Sequence, residues 1–84
     1  MRYRPVFSDT AVAFFATLSR RRQVALLDRT RELAADPFVV PDLRRYDDDG
    51  REIGDILIDD FLFSFWVDHP AKLVMIVEVD DASV

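Results

Sequence analysis

Apolar positions are densest between Phe61 and Val79. Two runs, Phe61-Leu62-Phe63-Ser64-Phe65-Trp66-Val67 and Leu73-Val74-Met75-Ile76-Val77, flank Asp68-His69-Pro70-Ala71. Runs rich in aromatic and β-branched side chains, broken by turn-forming residues, predict two strands joined as a hairpin. Glu52 to Ile58 predicts a third strand before them, with Asp59-Asp60 as a two-residue turn. That turn sets Ile58 opposite Phe61, Ile56 opposite Phe63 and Gly54 opposite Phe65. One face then carries Gly54, Ile56, Ile58, Phe61, Phe63, Phe65 and Val67, all without polar side chains. The other carries Ile53, Asp55, Leu57, Leu62, Ser64 and Trp66, a mixed set. A slip of one residue would exchange the two faces, because side chains alternate along a strand.

The period changes toward the N-terminus. Ala11, Phe14, Phe15 and Leu18 follow the i, i+3, i+4, i+7 spacing of a helical face and predict a helix from Asp9 to Leu18, capped by Ser8. Ser19 caps a second predicted helix, Arg20 to Ala35, with Leu26, Leu27, Thr30, Leu33 and Ala34 on one side; Asp36-Pro37 ends it. The short link predicts an antiparallel helix pair. Tyr3 to Phe7, interrupted by Pro5, predicts an edge strand. Phe38 to Tyr46, with Pro41 inside it, predicts irregular chain, and Asp47-Asp48-Asp49-Gly50 a turn. The expected architecture is α+β: an N-terminal strand, an antiparallel helix hairpin, then a three-stranded antiparallel meander, with the helices on one face of the sheet. The last strand is apolar on both sides, which predicts either an interior place in the sheet or cover by a partner. Trp66 and its neighbours are expected on the face the helices leave open, where an apolar patch marks an interaction site.

Eighty-four residues, half of them hydrophobic, predict a single domain over 1–84 with a modest core. The chain has no cysteine, which fits a reducing cytoplasm and excludes disulfides and thiolate metal sites. Neither a secretory pattern after Met1-Arg2-Tyr3-Arg4-Pro5 nor a bilayer-length apolar run is present, so a soluble, cytoplasmic protein with no membrane partner is expected. The net charge of −5 is unevenly spread: residues 1–45 hold nine arginines and five acids, residues 46–84 two basic residues and eleven acids. A nucleic-acid binder shows a basic footprint, so any phosphate contact is expected in the first half.

Among chemistry-bearing residues, His69 is the only histidine. It is either a general acid or base or a solvated turn residue, and its place between Asp68 and Pro70 favours the latter. Asp47, Asp48 and Asp49 lack the ligand spacing of a calcium loop, so no metal or other cofactor is expected. Arg20-Arg21-Arg22 reads first as a solvated turn. Arg44, Arg45 and Arg51, beside Tyr46, are the best candidates for gripping RNA or a partner's carboxylates, since guanidinium forks onto either. Trp66 is either a packed sheet residue or an interface anchor.

In its order of elements the chain resembles the RelE/ParE superfamily of type II toxin–antitoxin systems, which includes plasmid-stabilisation proteins. Phe7-Ser8 opens an Ala/Phe/Leu helix, Leu33-Ala34-Ala35-Asp36-Pro37-Phe38 closes the second, and Asp49-Gly50-Arg51-Glu52-Ile53 leads into the meander. Phe65-Trp66-Val67-Asp68-His69 and Val74-Met75-Ile76-Val77-Glu78-Val79 complete the likeness, which spans nearly the whole chain. The resemblance implies a toxin partnered by a cognate antitoxin, with either ribosome-dependent cleavage of mRNA or inhibition of DNA gyrase as its activity. It places Arg44, Arg45 and Arg51 near the basic positions of the ribonuclease members. Those members also carry an arginine on the last strand and often a C-terminal Tyr or His, whereas this chain has Glu78-Val79-Asp80-Asp81 and ends at Val84. The departure favours a toxin acting mainly by protein binding, with Trp66, Leu62, Ile53, Tyr46, Arg44 and Arg45 as contact residues. A ribonuclease using Arg44, Arg45 and Arg51, and a non-toxic homodimer, are the alternatives.

Overall fold

The computed structural model describes residues 2–83. Seven elements follow one another: β1 (Arg4–Phe7), α1 (Asp9–Thr17), α2 (Arg20–Ala35), β2 (Leu43–Tyr46), β3 (Glu52–Ile58), β4 (Phe61–Asp68) and β5 (Leu73–Asp81). The strands form one sheet in the order β1-β5-β4-β3-β2. β1 runs parallel to β5, and the remaining neighbours pair antiparallel. The α+β plan agrees with expectation, but the meander has four strands and not three. Leu43-Arg44-Arg45-Tyr46, expected to be irregular, pairs with β3 from Leu43↔Asp55 to Tyr46↔Glu52. A four-residue strand with two arginines and one paired edge lacks the long apolar run that marks β4 and β5.

Both helix starts follow from their serines. Ser8 Oγ accepts from the Ala11 amide at 3.1 Å, and Ser19 Oγ from the Arg22 amide at 3.3 Å, each relieving an amide that the helix itself leaves free. α1 ends at Thr17, with Leu18 as its C-cap. The expected apolar faces pack inward: Ala11 of α1 and Leu26, Leu33 and Ala34 of α2 meet Ile56, Phe61, Phe63, Phe65, Val74, Ile76 and Val79 of the sheet. α1 lies on β5, and α2 reaches β5 and β1.

The β3–β4 register is the expected one, Ile58↔Phe61 through Gly54↔Phe65. Asp59 in the connecting turn takes a left-handed conformation, φ 54°, which aspartate tolerates better than most side chains. Between β4 and β5 the register shifts: Ser64 pairs with Glu78 but Phe65 with Ile76, leaving Val77 as an extra residue. The bulge has a clear effect on the core. It lets Val74 and Ile76 before it, and Val79 after it, all face the helices, which strict alternation would forbid. The same shift puts Glu78 and Asp80 on the opposite face.

Gly54 marks a close approach. A Cβ built there would lie 3.0 Å from Pro41 Cβ and 3.3 Å from Phe65 Cε1, so glycine lets the 36–42 segment close over β3. That segment, with Val39 packed against the core, covers the part of the sheet beyond the helices.

Candidate functional site

The sheet presents two surfaces on which chemistry can act. The first is the face without helices. Cross-strand pairing arranges it in rows: Leu57, Leu62 and Asp80; then Asp55, Ser64 and Glu78; then Trp66 with Met75. Leu57 is 53% exposed, while Leu62, Met75 and Trp66 are half-buried. Ile53 corrects an expectation. It lies on this face but is 1% exposed, so its side chain has no surface to offer a partner.

The middle row holds a built polar cluster. Asp55 is buried, and its carboxylate accepts from Arg45 Nε at 2.9 Å and from Ser64 Oγ at 2.6 Å. Burial pushes the Asp55 carboxyl up, but the hydrogen bonds from Arg45 and Ser64 and the Arg45 charge outweigh it, leaving the group below its usual range. Arg45 is held charged, chiefly by its hydrogen bond to Asp55, against some desolvation. Arg45 is therefore committed to a partner within the fold. The sequence reading missed this cluster, because Asp55 in an amphipathic strand reads as an ordinary solvent-facing carboxylate.

The second surface is a cleft of about 440 Å³ at the Trp66 end of the sheet, lined by residues that include Phe38, Arg44, Arg51, Glu52, Trp66 and His69. Arg44 lies 3.8 Å from Glu52, and Arg51 3.9 Å from Asp47, both beyond hydrogen-bond reach. Arg51 also sits over the Trp66 ring, with Cζ 4.1 Å from its centroid. His69 is exposed but fixed: Nδ1 is 2.8 Å from the Tyr3 hydroxyl, and the ring stacks on Phe38 at 5.1 Å and 15°. Sequence spacing offered no hint of this cluster, since its members come from the N-terminus, the 36–42 segment and the β4–β5 turn.

Of the three candidate arginines, the fold brings Arg44 and Arg51 to one cleft and turns Arg45 away. Arg44 and Arg45 are adjacent in a strand, so they point to opposite faces. Tyr46, on the Arg44 side, is 71% exposed. Arg22 of the Arg20-Arg21-Arg22 run is tied down rather than solvated, 3.1 Å from Asp81 and over the Phe61 ring. Asp47 closes the acidic turn by accepting from the amides of Asp49 and Arg51. Among the described residues no group of three or more side chains gathers as a metal site.

The acidic end of β5 also needs relocating. Asp80 and Asp81 pair with Leu62 and Phe61, about 13–17 Å along β4 from Trp66 at ~3.3 Å per residue. Their charge therefore bears on the helix-free face and the α2 side, not on Arg44 and Arg51. The sequence end at Val84 lies outside the described residues.

This fold is that of the RelE toxins. The chain superposes on the RelBE2 toxin–antitoxin complex from Mycobacterium tuberculosis with a TM-score of 0.76 at 18% identity, covering 96% of this chain and 99% of that one. It superposes on the archaeal RelE–RelB complex from Pyrococcus horikoshii OT3 with a TM-score of 0.72 at 14% identity, covering 99% and 98%. A mutant of the Escherichia coli toxin RelE in the free state gives a TM-score of 0.72 at 19% identity, covering 99% and 86%. No protein-family model and no curated protein sequence matches the chain.

Proposed function

We propose that this chain is the toxin component of a bacterial type II toxin–antitoxin pair and acts by binding proteins, a cognate antitoxin among them, without cutting RNA. The observation that carries this reading is the fit of essentially the whole chain to RelE folds, two of them solved as toxin–antitoxin complexes. The chemistry of the helix-free face supports the second half of the proposal. Asp55, Glu78 and Asp80 line it, and its Arg45 is paired with Asp55. A scissile phosphate gains charge in its transition state and needs unpaired donors, which an acidic surface opposes. DNA gyrase is one protein target compatible with this reading, and the cytoplasm its place of action. No helix among the described residues is long and apolar enough to cross a membrane. A role in plasmid stabilisation and assembly as a homodimer are compatible with the same reading.

One observation favours a second reading. Arg44 and Arg51 share the Trp66 cleft without hydrogen-bonded carboxylates, as an RNA-binding ribonuclease would require. Induced expression separates the readings. The expected result is growth arrest, relieved by co-expressing the product of an adjacent small reading frame, and unaffected by Arg44→Ala with Arg51→Ala. Relief of arrest by that double substitution supports the ribonuclease. Expression without arrest overturns both toxin readings and leaves a non-toxic homodimer.

A further inference from the structure

The outer strands of the sheet, β1 and β2, differ in what their free edges offer. The Arg4 and Ser8 amides donate to the Lys72 and Ile76 carbonyls at 2.9 Å, so the even-numbered residues of β1 turn toward β5 and Pro5 faces out. Proline has no N–H, which blunts that edge against further pairing. β2 carries no such block. The Asp47 amide donates to the Arg51 carbonyl at 3.0 Å, and the register sets Arg45 against Ile53 and Leu43 against Asp55. Odd-numbered residues thus bond to β3, and the N–H and C=O groups of Arg44 and Tyr46 point away from the sheet. Every residue of β2 is exposed, Tyr46 at 71% and Leu43 at 60%, with Val40 just before them at 72%. An open edge beside exposed apolar side chains is a template for another strand.

We infer that β2 pairs antiparallel with β2 of a second copy of this chain, about a two-fold axis at Arg45. The outward backbone groups dictate that register. It sets Arg44 opposite Tyr46 of the partner subunit, and Tyr46 opposite Arg44 of the partner subunit, and each pair exchanges both of its N–H···O=C bonds. Moving the axis to Arg44 would set Arg44 against its own copy and draw in Asp42, whose amide is already bonded to Asp55. Side chains agree with the backbone, since each Arg44 guanidinium then meets a Tyr46 ring across the strands. Arg44 also lines the Trp66 cleft, so Tyr46 of the partner subunit joins the rim of that cleft. On the other face Arg45 meets its own copy at the axis, with its charge matched by Asp55 at 2.9 Å within each chain. The surplus acids stand apart. Glu78 and Asp80 lie on β5, three strand spacings or ~14 Å from β2, beyond the ~8 Å screening length at physiological salt. An interface built on so short a strand is small, so a dissociation constant of about 1–100 μM is expected.

The test sediments the purified intact chain across that concentration range while NMR follows amide hydrogen exchange. Expected is a shift from monomer to dimer, with exchange of the Arg44 and Tyr46 amides slowing as the dimer forms. Tyr46→Lys places a cation opposite Arg44 of the partner subunit, yet within its own chain it faces Glu52, so folding is spared and dimerisation should weaken about tenfold. Tyr46→Pro removes an outward N–H without touching the β2–β3 ladder and should abolish the dimer, circular dichroism verifying its fold. A monomer at every concentration, or a dimer unmoved by Tyr46→Lys, overturns the inference. So does a dimer abolished by Leu57→Asp, which assigns the contact to the helix-free face, or one in which the Arg44 and Tyr46 amides gain no protection. Neither growth arrest nor RNA cleavage enters this measurement, so its outcome is independent of the toxin reading.

Discussion

Replacing Phe63 by alanine is expected to lower stability by about 3–5 kcal/mol, the range for deleting a fully buried aromatic ring. Phe63 is 0% exposed and sits on β4 between Ile56 and Val79, at the centre of the cluster that joins both helices to the sheet. Little can collapse into the space it leaves, because neighbouring strands fix its flanks and Phe61 packs edge-on against it at 6.4 Å. For 84 residues the whole unfolding free energy is about 4–13 kcal/mol at ~0.05–0.15 per residue. The loss is therefore a large share of the total, and chemical denaturation should show a sharply lowered midpoint with an unchanged slope. Leu57→Ala, at an exposed position of the same sheet, should change stability by less than about 0.5 kcal/mol.

The second large effect is expected at Asp55. Asp55→Ala removes the acceptor for Arg45 and Ser64 and leaves the buried Ser64 hydroxyl without its partner, so a loss of about 1–3 kcal/mol should appear in denaturant unfolding. The same pair predicts a pH dependence with a definite sign. The folded-state carboxyl lies below its unfolded value, so the unfolded chain binds the proton more readily in that window. The stabilisation from Asp55 is fully present above the ordinary carboxylate range, ~3.9 in an unfolded chain. It is lost as the pH falls through the lower folded value. The wild-type protein should therefore lose more stability than Asp55→Ala on titration from neutral to strongly acidic solution. Equal acid sensitivity of the two would remove the Arg45–Asp55 pair from the account.

Much of this arrangement is legible in the sequence, and its limits have physical causes. The β3–β4 register follows from alternation, since only one pairing across Asp59-Asp60 places every phenylalanine of β4 on the face with Ile56 and Ile58. The helices are equally readable, because Ser8, Ser19 and Pro37 punctuate them. β2 escapes detection for the opposite reason: Leu43-Arg44-Arg45-Tyr46 is short and half charged, and it is a strand only because β3 offers it an edge.

The site is less legible than the fold. Adjacent arginines in sequence suggest a shared role, yet a strand sends Arg44 to the cleft and Arg45 to Asp55. Trp66 falls on the open face as its alternation requires, whereas Ile53 on the same face is buried, a distinction periodicity does not make. The bulge at Val77 is the most consequential hidden feature. It reconciles an apolar β5 with a single core, and it delivers Glu78 and Asp80 to the helix-free face of the strand on which the RelE/ParE resemblance leads one to expect an arginine.

The claim that this RelE-like chain acts without cutting RNA is tested most directly by following a defined mRNA in a reconstituted bacterial translation reaction, with the purified protein added and fragments mapped by primer extension. The account predicts full-length message at every time point, with the Arg44→Ala, Arg51→Ala variant indistinguishable from wild type. Discrete cleavage of translated message, absent with that variant, would contradict it.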